Sequence, residues 1–290
     1  LIAGLIAAAI LSPFVAWGLA AAGWHFPFPR IFDRTMMATL LIALLLLARR
    51  LDLGGLLREG FARPLAHRRE FALGLALSLV VIAILFALAT VAGCGHLRPV
   101  LPLIGRALKY TAATILIGVI EEAFFRAFLL AGIRSDYGRR TALSASALVY
   151  AVAHVLRSPA HFYLTGYHPL AGFENLALSA ARLTHPMDTL PVLIGLFLLG
   201  IVLGQAFMLT GRVYFSIGLH AGFVIGAKTW PIVVDHLAVP RWLAGPGPVP
   251  LIAAPAAWVA ATFIAVALPR IFRRDAASEL AAGSTKSRFG

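Results

Sequence analysis

Apolar positions in this chain fall into long continuous runs rather than the one-sided stripe of a helix on a soluble protein. Crossing a hydrocarbon core of about 30 Å at ~1.5 Å per residue takes roughly 20 residues. Runs near that length occur at 1–22, 31–48, 71–93, 110–131, 141–156, 190–209, 213–230 and 251–269. The pattern predicts an all-α polytopic membrane protein, a bundle of about eight transmembrane helices. The second and fifth runs are short, and the second carries Asp33 and Arg34 at its start. The first run is longer than the apolar core of a signal peptide and has no basic segment before it. It reads as a retained span, although Ala20-Ala21-Ala22-Gly23 has the small residues of a cleavage site; with no initiator methionine at Leu1, further residues are expected upstream.

The polar segments between the runs give orientation and organisation. Arg49, Arg50, Arg58, Arg63, Arg68 and Arg69 lie in one such segment, Arg134, Arg139 and Arg140 in another, and Arg270, Arg273, Arg274, Lys286 and Arg288 near the end. With eight spans these segments share one side with the turn at Arg212, so the positive-inside rule predicts both termini in the cytoplasm, in a bacterial inner membrane. Arg98, Arg106 and Lys109 fall on the other side. Three regions follow: helices one to three in 1–107, a core of helices four to seven in 108–230, and the last helix with a polar tail in 231–290. Residues 157–189 form the largest connection, with a short helix expected at 173–183 between Gly-Tyr-His-Pro and Thr-His-Pro breaks.

Composition mainly excludes. The chain is 60% hydrophobic and 13% charged, with mean hydropathy +0.88. Its net charge of +13 sits in short segments beside apolar runs, which fits anionic lipid headgroups and not a nucleic acid. The single cysteine, Cys94, excludes an intrachain disulfide framework. No internal repeat is visible, which argues against a carrier built on inverted halves. Gly200 and Gly204, and Gly218, Gly222 and Gly226, recur at four-residue spacing, the pattern that lets membrane helices approach closely.

Candidate chemistry lies where charge interrupts an apolar run. Glu121, Glu122 and Arg126 stand near the middle of 110–131, and a charge at a helix centre costs roughly 2.5–3.5 kcal/mol on insertion scales. Glu122 and Arg126, four apart, share one helix face; Glu121 lies about 100° round. Tyr150, His154 and His220 are further polar residues in spans. Glu121 is 13 residues from Arg134 and His154 is 14 from Arg140, which places both roughly 20 Å from the same face. His220, 8 residues from Arg212, lies roughly 12 Å in. A glutamate and two histidines converging there are suited to activating a water and stabilising an oxyanion.

Glu121-Glu122-x-x-x-Arg126, Tyr150-x-x-x-His154 and a later His220 after a glycine-rich span resemble the CPBP family, also called Abi or CAAX protease and bacteriocin-processing. That family includes the type II CAAX prenyl endopeptidases, and the resemblance covers roughly residues 108–230. It implies an intramembrane endopeptidase of glutamic type acting on a membrane-anchored protein or peptide, with no cofactor. It also implies Glu121 as general base, His154 as its partner in activating water, His220 on the oxyanion side, and Glu122 with Arg126 as a supporting pair. Two positions depart from the family pattern. Tyr150 stands where phenylalanine is usual, and Val224 stands where the third motif, His-x-x-x-Asn or Asp, ends in a polar residue.

Other readings compete. Glu121, His154 and His220 are also a donor set for zinc with a fourth position left for water, though they come from separate helices without a His-Glu-x-x-His signature. Val224 suits a catalytically impaired membrane scaffold or immunity protein that kept the site's shape. A proton-coupled carrier would use Glu121 and His154 as a relay. His161, His168 and His185 lie in the long connection and read as surface residues.

Overall fold

A computed structural model describes residues 2–50, 54–92, 104–156, 162–233, 241–245 and 251–286. Cys94, Arg98, Arg157, His161 and Arg288 lie outside the described residues. Among the described residues all regular structure is helical. In chain order the α-helices are α1 (Ile2–Ala21), α2 (Phe28–Arg50), α3 (Gly54–Gly60), α4 (Arg68–Val91), α5 (Ile104–Glu122), α6 (Ala131–Val155), α7 (Ala171–Ala181), α8 (Pro186–Thr210), α9 (Tyr214–Val233), α10 (Arg241–Ala244) and α11 (Pro255–Lys286). A π-helical segment, Ala123–Leu130, joins α5 to α6.

Among the described residues, four helical stretches are long and apolar enough to cross a membrane: Ile2–Ala21, Arg68–Val91, Pro186–Thr210 and Pro255–Phe272. The protein is an integral membrane protein by this measure, with fewer such helices than the eight apolar runs. The difference lies where polar residues dilute the runs: Glu121 and Glu122 close α5, Arg139 and Arg140 enter α6, and α9 carries His220 and Lys228. The short helix expected at 173–183 is α7. The break expected over 134–140 is confined to Gly138, whose φ of 78° is left-handed backbone that glycine adopts without a Cβ penalty.

The helices pack around two main centres, which meet where α2 approaches the π segment. In the first, Ala8 and Ala9 of α1 bury against Phe28, Ile31, Phe32 and Met36 of α2, and α7 seals the group at Ala171. Gly172 allows this, because a Cβ there would strike the α1 backbone at Ala9. In the second, α6 packs on α8, α11 on α8, and α9 on both α4 and α5 around a core that includes Phe125, Tyr150, Leu196, Leu203, Phe215 and Leu219.

The glycine stripe of α9 explains its closeness to α4. A Cβ on Gly218 would meet the Phe71 carbonyl, and one on Gly222 would meet the Ser78 hydroxyl. On the facing helix, Gly74 lies equally close to the Phe215 carbonyl. Small residues on both surfaces gain dispersion contact that lipid cannot outcompete. Ser78 can be buried there because its hydroxyl donates to the Gly74 and Leu75 carbonyls at 3.0 and 2.9 Å. Clamped this way, α9 has little freedom to rotate, which fixes the direction of His220.

A polar clasp holds the end of the bundle near α3. Arg212 donates to Glu70 at 3.2 Å, His67 contacts the same carboxylate oxygen at 2.9 Å, and the Tyr214 hydroxyl donates to the Phe61 carbonyl at 2.7 Å. The clasp seats Leu57 of α3 against Ala127 and Leu130 of the π segment.

Candidate active site

The site is built at the junction of α5 with the π segment. Widened turns of this type are rare and frequent at functional sites. Here the change of helix type begins at Ala123, directly after Glu121 and Glu122. The segment carries Phe124, Phe125 and Phe128, and Phe125 packs edge-on against Tyr150 of α6 at 5.1 Å between ring centres.

Glu122 and Arg126 are both fully buried, with Arg126 Nε 3.2 Å from Glu122 Oε2. The pair is a close ionic contact without the alignment of a hydrogen bond. The guanidinium also lies over the Tyr150 ring, 4.9 Å from its centre, an attraction between cation and π face that strengthens where water is absent. The other Glu122 oxygen, Oε1, is 3.0 Å from His220 Nδ1. A carboxylate paired with Arg126 can only accept, so in that pairing Nδ1 donates and the second ring nitrogen of a neutral His220, Nε2, is left as an acceptor.

His154 is set in the same sense by a different partner. Its Nδ1 is 2.9 Å from the Tyr150 backbone carbonyl, which can only accept. Its Nε2 is 3.2 Å from Glu121 Oε2, and His220 Nε2 is 3.7 Å from that same oxygen. Three acceptor atoms from α5, α6 and α9 thus converge, an arrangement that draws in a proton or the hydrogens of a water. Tyr150 is 1% exposed and packs among these groups, its ring 4.2 Å from His154 and edge-on to His220 at 6.3 Å.

The structure therefore brings Glu121, Glu122, Arg126, Tyr150, His154 and His220 into one cluster. Val224, one turn beyond His220, is half-buried and offers no polar atom beyond its backbone. His168 and His185 are exposed and stand apart from the cluster. Among the described residues no group of three or more His, Cys, Asp or Glu side chains has the spacing to hold a metal ion.

Two features had no clear signal in the sequence. One is the π segment, which shares its apolar composition with ordinary spans. The other is a pocket against the pair, lined by Met36, Met37, Leu40 and Leu41 of α2, Ile120 and Glu121 of α5, Phe124 and Phe125 of the π segment, and Ala153 and His154 of α6. The spacing of Met36, Met37, Leu40 and Leu41 marks one helix face, but that face alone does not name what it lines.

Residues 103–226 match the family described as Type II CAAX prenyl endopeptidase Rce1-like, consistent with the CPBP, or CAAX protease, family. The match begins at the start of α5 and ends within α9, so it contains every residue of the cluster; α1 to α4 and α11 lie outside it. No curated protein and no solved structure matches the chain.

Proposed function

We propose, from the premise that residues 103–226 form an Rce1-like endopeptidase domain, that the protein is a glutamic-type intramembrane endopeptidase cutting a membrane-associated protein or peptide. The observation that carries this reading is Glu121 Oε2 facing the Nε2 atoms of His154 and His220 beside an apolar pocket. In the proposed reaction a water beside Glu121 gives its proton to the Glu121–His154 pair as its oxygen bonds to the scissile carbonyl carbon. The resulting oxyanion accepts a hydrogen bond from His220 when that ring carries a proton on Nε2. The captured proton then passes to the leaving amine as the C–N bond breaks, leaving a new carboxylate and a new amine. Glu122 and Arg126 take no proton; they hold His220 in register through the Glu122–Nδ1 contact.

The reading includes about eight membrane-crossing helices, with α2, α5, α6 and α9 crossing as polar members of the bundle, and both termini in the cytoplasm of a bacterial inner membrane. It assigns no cofactor. A second reading, a catalytically impaired scaffold or immunity protein, is favoured by Val224, which puts an apolar side chain one turn from His220. Loss of one oxyanion donor typically lowers rate about 10²–10³-fold. The test is purified protein in detergent with prenylated cysteine-tailed peptides in ¹⁸O-water. The peptidase reading predicts products with one ¹⁸O in the new carboxylate from wild type and none from Glu121→Gln. Folded wild type that yields no product favours the scaffold.

A further inference from the structure

The pocket beside Glu121 and His154 has an unusual division of labour. Its polar end and one apolar wall come from α5, the π segment and α6, whereas its opposite wall is entirely α2. That wall lies outside residues 103–226 and belongs to the group of helices packed on α1 and α7. Met36 and Met37 are 8% and 9% exposed and face the pocket together with Leu40 and Leu41, one turn along. The cavity itself is about 40 Å³ and opens to one side, so a side chain enters it from that side and rests against the α2 wall. Its lining is apolar except at Glu121 and His154, so any group occupying it is apolar and adjoins the bond those residues attack.

We infer that the α2 wall, chiefly Met36 and Met37, is the selectivity subsite for the apolar side chain next to the scissile bond, an inference that rests on the peptidase reading. Methionine side chains are unbranched and polarisable, so they adapt to several apolar shapes. The wall accepts leucine, isoleucine, methionine and phenylalanine at this position and rejects aspartate and lysine, whose burial there finds no partner. Selectivity is thus set by a helix outside the domain that supplies the chemistry, and it can change without altering Glu121, His154 or His220.

The test is competition between paired prenylated cysteine peptides that differ at one of the three residues after the cysteine, mixed in one tube with full-length protein in detergent micelles. The readout is the ratio of kcat/KM within each pair, which cancels any loss of folded enzyme. At the position seated in the subsite, wild type is expected to prefer leucine over aspartate by at least about 100-fold, as a polar group left unpaired in an apolar site demands. Met36→Ala with Met37→Ala is expected to raise the phenylalanine-over-leucine ratio roughly tenfold, and Met37→Trp to lower the leucine-over-alanine ratio by a similar factor. The exposed Ile42→Ala, outside the pocket, is expected to leave both ratios within about twofold. Cleavage with ratios unmoved by the methionine variants at all three positions overturns the subsite and leaves the peptidase reading standing. No cleavage of any peptide by folded wild type overturns both.

Discussion

Removing the Arg126 side chain tests how the site is held together. Arg126 and Glu122 are fully buried and their charged atoms are 3.2 Å apart. At an effective dielectric of about 20, two unit charges at that distance attract by roughly 5 kcal/mol. That is comparable to the ~3–5 kcal/mol lost when one partner of a buried pair is deleted. Arg126→Met should therefore destabilise the protein by about 3–5 kcal/mol, and Glu122→Leu by a similar amount, because each leaves an uncompensated charge in the bundle. The double variant should cost far less than the sum. The remaining penalty is chiefly the His220 Nδ1 donor without its acceptor, about 1–3 kcal/mol. The assay is reversible unfolding in mixed SDS and detergent micelles for wild type, both single variants and the double variant, with peptide cleavage measured in parallel. Activity should be lost in Glu122→Leu and in the double variant, since His220 is no longer anchored. Single variants costing under about 1 kcal/mol, or a double variant equal to their sum, would refute the argument that a buried pair holds the histidine.

Other expectations follow from the same geometry. Gly222→Leu should prevent the close approach of α4 and α9 at Ser78, costing about 1–3 kcal/mol or more in the same unfolding assay and lowering activity through displaced His220. His220→Asn, whose side-chain amide can still donate to Glu122 but lacks the Nε2 atom, should retain most stability and lose about 10²–10³ in kcat with KM little changed. Dialysis against a strong chelator should leave cleavage unchanged, whereas loss restored by zinc would move the site to the metalloprotease reading. Tyr214→Phe should cost about 0.5–1.5 kcal/mol by removing the hydrogen bond to Phe61 and should spare the ratios set by α2.

The helical character of the chain was legible because apolar runs of membrane length have few other uses, and the candidate cluster was legible because charge is expensive there. Glu121, Glu122 and Arg126 announce themselves by cost, and the spacing of Glu122 and Arg126 correctly anticipated their contact. The matched depth of Glu121 and His154 likewise anticipated their 3.2 Å approach. The link from Glu122 to His220 was not legible, because it joins residues 98 apart and depends on how α9 is rotated. That rotation is fixed by Gly218 and Gly222 against α4, and the glycine spacing showed that something packs closely without naming the partner. The π segment was hidden because a change in hydrogen-bond register leaves composition and hydrophobic pattern intact. The break near 134–140 was placed too broadly because arginines mark a polar surface, whereas the turn itself is made by Gly138 alone. Met36 and Met37 were hidden for a related reason, since a methionine on a span reads the same whether it faces lipid or a pocket.

The most direct test of the central claim compares protein termini by mass spectrometry in membranes of cells expressing wild type or Glu121→Gln at equal levels. Proteolysis through Glu121 predicts new termini on one or a few membrane-associated proteins with wild type only, with an apolar residue beside the cleaved bond. Identical sets of termini, in cells where wild type and Glu121→Gln produce the same phenotype, would contradict it and leave the scaffold as the reading to pursue.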